Sequence, residues 1–142
     1  MPIPMDIQHA TEEFERFLAD AKDRSGLTTR NQTYTMAEGV LRTFRRRLST
    51  ADAIRFAGVL PPVIRAIFVA DWDIDEPVRP FADRSVLTIE AQSLRRDHNF
   101  APETCIDDVA WALRRRVDRA AFDRVMATLP PGAAEFWRAP ED

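Results

Sequence analysis

Two stretches decide the fold. Residues 40–68 read VLRTFRRRLSTADAIRFAGVLPPVIRAIF, and residues 109–137 read VAWALRRRVDRAAFDRVMATLPPGAAEFW. Aligned without a gap at an offset of 69, nine of the 29 positions are identical, where average composition gives about two by chance. The identities are Val40/Val109, the triplets Arg45-Arg46-Arg47 and Arg114-Arg115-Arg116, Ala51/Ala120, Arg55/Arg124, and Leu60-Pro61-Pro62 with Leu129-Pro130-Pro131. Apolar character also persists at Phe44/Leu113, Leu48/Val117, Ile67/Phe136 and Phe68/Trp137. Self-similarity of this kind marks a supersecondary unit used more than once.

Working outward, each copy reads as helical. Ile7, Ala10, Phe14, Phe17, Leu18 and Ala21 recur at spacings of three and four, which places one apolar stripe on a helix over about 6–24. Gly26 suits its left-handed stop. Thr29 with Gln32 fits a capping box that opens a second helix bearing Met36, Val40, Phe44 and Leu48. Ser49 and Asp52 open a short third helix through Ala57, with Ala53, Ile54, Ala57 and Leu60 as its stripe. Pro61-Pro62 ends it and starts a fourth, Val63 to about Ala70. Residues 71–81, DWDIDEPVRPF, read as a linker. A fifth helix over about 83–96 carries Val86, Leu87, Ala91 and Leu94. A sixth opens at Pro102-Glu103, Asp118 caps a seventh, and Ala133 to Trp137 form the eighth. No stretch alternates apolar and polar residues as a strand would, and no Asn-Gly or Asp-Gly hairpin signal occurs. The expected fold is an all-α bundle of about eight helices in two tandem four-helix repeats. These cover about 6–70 and 82–138 of one domain spanning 1–142.

Composition narrows function. The chain has 142 residues, 45% of them hydrophobic, and a net charge of −3. Of its 20 basic residues only Lys22 is a lysine. That balance argues against broad binding to nucleic acid or an anionic membrane. One cysteine allows no internal disulfide and suits a reducing compartment. The longest apolar run, Ala66 to Ala70, is far short of the ~20 residues of a spanning helix. Met1-Pro2-Ile3-Pro4-Met5-Asp6 lacks the basic and apolar regions of a secretory signal. The expectation is therefore a cytoplasmic protein.

The order of segments resembles a known bacterial family. A helix, the turn Ser25-Gly26-Leu27, the Arg-rich helix with Val40-Leu41-Arg42-Thr43-Phe44, a short capped helix and Val59-Leu60-Pro61-Pro62 come first; Thr128-Leu129-Pro130-Pro131 closes the second round. This is similar to the family called domain of unknown function 2267, from about Ile7 to Trp137. The resemblance implies an all-α bacterial cytoplasmic protein and carries no activity, cofactor or catalytic residue. Asp97-His98-Asn99-Phe100 stands where the first round has Gly26-Leu27. Gly26 to Arg45 is 19 residues and Asn99 to Arg114 is 15, so the second connection is expected to be one helical turn shorter.

Several residue groups invite a chemical reading. The arginine triplets could grip phosphates. Three successive helical residues sweep about 200°, however, so they do not share one face. At the last turn of a helix they also complement the dipole as solvated ends. Asp71-x-Asp73-x-Asp75 begins like a calcium loop, but Glu76 and Ala82 stand where that loop needs glycine and glutamate. Trp72 either tucks onto the core or marks a contact surface, and tucking is favoured. Cys105 would need a base such as His98 to act as a nucleophile; an inert, partly buried thiol is the simpler reading. No His/Cys/Asp spacing suits zinc.

The expectation is a protein that is not an enzyme and carries no cofactor or metal, a module that binds another protein or itself. The candidate contact residues are Arg42, Arg45, Arg46, Arg114, Arg115 and Trp72. The alternative is a nucleic-acid or phosphate ligand held by those arginines, which requires both triplets on one surface.

Overall fold

The computed structural model describes residues 4–139. Among them are eight α-helices, one short 3-10 helix and no strand. The helices are α1 (Met5–Ser25), α2 (Arg30–Arg45), α3 (Thr50–Ala57), α4 (Pro62–Val69), α5 (Arg84–Gln92), α6 (Cys105–Arg114), α7 (Arg119–Met126) and α8 (Ala133–Phe136). The stretch Met1-Pro2-Ile3, read above for a leader, lies outside the described residues.

The caps act as the side chains suggest. Gly26 closes α1 at φ 75°, and its N–H donates to the Lys22 carbonyl. At the start of α2 the Gln32 N–H donates to Thr29 Oγ1 at 3.1 Å, and the Thr29 N–H donates to Gln32 Oε1 at 3.2 Å. Ser49 Oγ accepts from the Asp52 N–H at 3.2 Å, and Asp118 Oδ1 accepts from the Ala121 N–H at 3.0 Å. Pro62 stands in the first turn of α4, where its missing N–H leaves no bond unmade.

Several details depart from the sequence reading. Helix α5 stops at Gln92, and the chain then passes through Arg95 at φ 50° into the 3-10 helix Arg96–His98. The Asn99 side chain locks this turn: Nδ2 donates to the Ala91 and Leu94 carbonyls, and Oδ1 accepts from the Ala101 N–H. The left-handed residue Arg95 lies 69 positions after Gly26, and twelve residues separate α5 from α6 against four between α1 and α2, so the second connection is not the shorter one. What is shorter is α6, which begins at Cys105 rather than at Pro102. Val86 and Ile54, assigned to inward stripes, are exposed. Phe56 and Thr88 take the inward positions beside Ala53 and Leu87. Ile7 is exposed on the first turn of α1.

Packing crosses the chain rather than following it. Helix α1 packs most extensively on α6, and α5 on α2; α2 also meets α6, and α3 meets α7. Buried side chains from all eight helices form one contiguous cluster. Its centre is aromatic. The Phe44 ring lies 4.8 Å from Phe56, 5.0 Å from Phe136 and 5.3 Å from Trp137, in the tilted and edge-on arrangements ring quadrupoles favour. Helices α2 and α5 approach so closely at Gly39 that an added Cβ would overlap the Ala91 carbonyl oxygen.

Candidate functional site: two arginine clusters

The first triplet ends α2 against the segment 71–83. Arg45 is only 5% exposed, and its Nη1 donates to the Phe68 carbonyl at 2.8 Å and the Ala70 carbonyl at 2.9 Å. These belong to the C-terminal end of α4, where helical carbonyls lack an internal partner and the dipole is negative. Its guanidinium also lies 5.5 Å from the Trp72 ring centroid. Burial, with the neighbouring charges of Arg42 and Arg46, holds Arg45 below the usual arginine range. Arg47, also 5% exposed, donates to the Thr43 and Pro80 carbonyls and to Glu90. Arg46 reaches Glu76 at 3.7 Å and Glu90 at 3.6 Å. Arg42 pairs with Glu38 at 3.5 Å and Asp71 at 3.2 Å.

Glu90 is the hub of this cluster. Arg46, Arg47 and Arg79 all converge on its carboxylate. Burial alone would raise its pKa, but the Arg47 hydrogen bond and the charges of Arg47, Arg46 and Arg79 outweigh that and hold it below the usual carboxylate range.

The second triplet ends α6 against α1 and α8. Arg114 Nε donates to the Trp137 carbonyl at 2.6 Å, Nη1 donates to Asp123 at 3.2 Å, and the guanidinium lies 5.0 Å from the Phe122 centroid. Arg115 and Arg116 both reach Asp20, at 3.3 Å and 3.4 Å. Arg115 and Arg24 each sit 4.7 Å from the Trp111 centroid. Two contacts thus recur at the offset of 69. Arg45 and Arg114 cap the carbonyls of Phe68 and Trp137, and the Ser49 and Asp118 caps follow them.

The six candidate contact residues therefore form no single surface feature. Arg42, Arg45, Arg46 and Trp72 meet at one end of α2, whereas Arg114 and Arg115 lie against α8 and α1. Trp72 is half-buried against the core, as the tucked reading expects. The first triplet differs from a solvated helix end, because Arg45 and Arg47 are buried and hydrogen-bonded, whereas Arg115 of the second is exposed. The Nε atoms of Arg42, Arg46 and Arg116 have no hydrogen-bond partner among the described residues, but they too are buried. The pocket lined by Arg45, Arg46 and Trp72 has a volume of about 30 Å³.

The other chemical candidates resolve as packing or turns. Cys105 is fully buried, and burial with the Asp108 charge pushes its thiol up to about 12, far from the thiolate a nucleophile needs. His98 is exposed while Cys105 is not. Burial raises the Asp108 carboxyl against the opposing Thr104 hydrogen bond of 2.8 Å. Asp73 Oδ1 accepts from the Asp75 N–H at 3.0 Å in an exposed turn. Among the described residues, no group of three or more His, Cys, Asp or Glu side chains is placed to hold a metal, and no helix is long and apolar enough to cross a membrane.

Sequence reasoning passed over Asp20, Glu90, Trp111, Arg65 and Arg84. Arg65 donates to the Ala57 and Leu60 carbonyls at the end of α3, and Arg84 to the Glu135 and Phe136 carbonyls at the end of α8. The short helices α3, α4 and α8 are thus each capped by an arginine from elsewhere in the chain. Residues 14–136 match the model of a family described as an uncharacterized conserved protein, DUF2267. No curated protein sequence matches the chain.

Proposed function

The chain belongs to the DUF2267 family, and from that premise we propose that it is a non-catalytic helical module that binds another protein or itself. One observation carries the reading. The outer face of α5 is uncharged and apolar: Val86 is 51% exposed and Ile89 is 64% exposed, with Ser85 beside them and Phe100 exposed in the turn beyond. Exposed apolar residues gathered on one helix face mark a contact surface more often than scattered ones do. The arginines support the same reading from the other side. Arg45 and Arg47 are buried with their donors on carbonyls and on Glu90, which favours packing over ligand binding at that end of α2.

The single-domain organisation and the pairing of two four-helix repeats belong to this proposal. Support comes from the bonds that recur at the offset of 69, and from the reciprocal packing of α1 on α6 and α5 on α2. A bacterial, cytoplasmic setting belongs to it as well, supported by the free thiol of Cys105. The test is Ile89→Arg, which removes apolar area at an exposed position. The variant keeps the wild-type unfolding midpoint and loses self-association, or loses a cross-linked partner, on light scattering. A variant that associates as the wild type does would rule out this face.

A further inference from the structure

The interior is shared between two segments that only one strap connects. Residues 4–70 supply α1 to α4, and residues 84–139 supply α5 to α8. The dominant contacts run between the segments: α1 on α6, α5 on α2, α3 on α7. Phe44 and Phe56 from the first stack against Phe136, Phe122 and Trp137 from the second, with centroids 5.0 to 5.8 Å apart. Ion pairs cross the same boundary, Arg47 to Glu90 and Arg115 and Arg116 to Asp20. Neither segment encloses its own core, so each needs the surface of the other.

We propose that two copies of this chain exchange these segments, residues 4–70 of one closing on residues 84–139 of the other. The proposal rests on the self-assembly version of the reading above and names its partner, a second copy. The surface that a second copy must fit is already seen filled, by the same residues it would bring. Exchange keeps the contacts between the two segments and rearranges only those of the strap, among them Trp72 and Phe81 against the core, the Arg79 N–H on the Arg46 carbonyl and Arg47 on the Pro80 carbonyl, which makes it a low-cost route to a dimer. The strap suits a hinge. Residues 71–83 form no helix or strand and are mostly exposed, and Pro77 and Pro80 favour extended backbone there. Concentration then favours the dimer by mass action.

The test is complementation between two full-length variants. Gly39→Leu damages the 4–70 segment, because any side chain there meets the Ala91 carbonyl. Trp137→Ala damages the 84–139 segment by emptying a fully buried site. Refolded together at high concentration, an exchanged pair contains one lobe made only of undamaged segments. The mixture is expected to show an unfolding transition at the wild-type midpoint that neither variant shows alone, with a dimer mass by light scattering. A mixture whose curve is the sum of the separate curves overturns exchange. If wild-type protein is nonetheless dimeric, surface self-assembly stands and exchange alone is removed. If the wild type is monomeric at every concentration, both are removed.

Discussion

Arg45, Arg46 and Arg47 are neighbours in sequence and have separate jobs in space. Successive helical positions are about 100° apart, so Arg45 turns to the end of α4, Arg47 to α5 and the strap, and Arg46 to the acids between. The planar fork explains the choice of arginine, since one guanidinium reaches two carbonyls at fixed angles where an ammonium offers a point charge. Gly39 shows the opposite demand, for no side chain at all. Gly39→Ala is expected to cost about 3 kcal/mol, because backbone on α5 must move to admit a methyl; urea unfolding measures it. Asp108 sets a pH dependence. Its folded pKa is raised above the unfolded value, so its ionisation opposes folding, and that penalty is relieved as pH falls from neutral through the raised folded pKa. Asp108→Asn should unfold at a higher midpoint than wild type at neutral pH, with the difference shrinking toward acid. Glu90 works the other way: depressed by its arginines, it contributes stability above the unfolded carboxyl pKa that is lost as pH falls through the folded one. Glu90→Gln should therefore flatten the acid limb of the stability curve.

At the scale of elements, helices of four to eight residues are too short to persist alone in water. Here α3, α4 and α8 are held at their C-terminal ends by Arg65, Arg45, Arg84 and Arg114. Turns are fixed in the same manner by side chains. Asn99→Ala would strip three hydrogen bonds from the α5–α6 turn and is expected to cost about 2 kcal/mol, with hydrogen exchange rising first in residues 91–101. The start of every helix with a local cap was legible in the sequence, because Thr29, Ser49 and Asp118 bond within three residues. The end of α5 and the late start of α6 were not. They depend on Asn99 reaching back across the turn and on a left-handed arginine, a conformation side chains disfavour.

For the whole molecule, the duplicated stretch was enough to expect an all-helical protein of eight helices. It did not reveal which helix packs on which, since α1 on α6 and α5 on α2 are long-range choices made by shape. The arginine partners were hidden for the same reason. Asp20 and Arg115 are 95 residues apart, and nothing local links them. In the first triplet the helix dipole is legible in the sequence and the burial of Arg45 and Arg47 is not. The outer face of α5, with Val86 and Ile89 exposed, is the surface on which the interaction reading rests.

The central claim is that the repeated arginines hold the bundle together rather than read a ligand. Urea unfolding of Arg45→Met tests it most directly, because this substitution keeps the bulk of the side chain and strands the Phe68 and Ala70 carbonyls at the end of α4. A loss of about 2–4 kcal/mol is predicted. A variant as stable as the wild type would contradict the account.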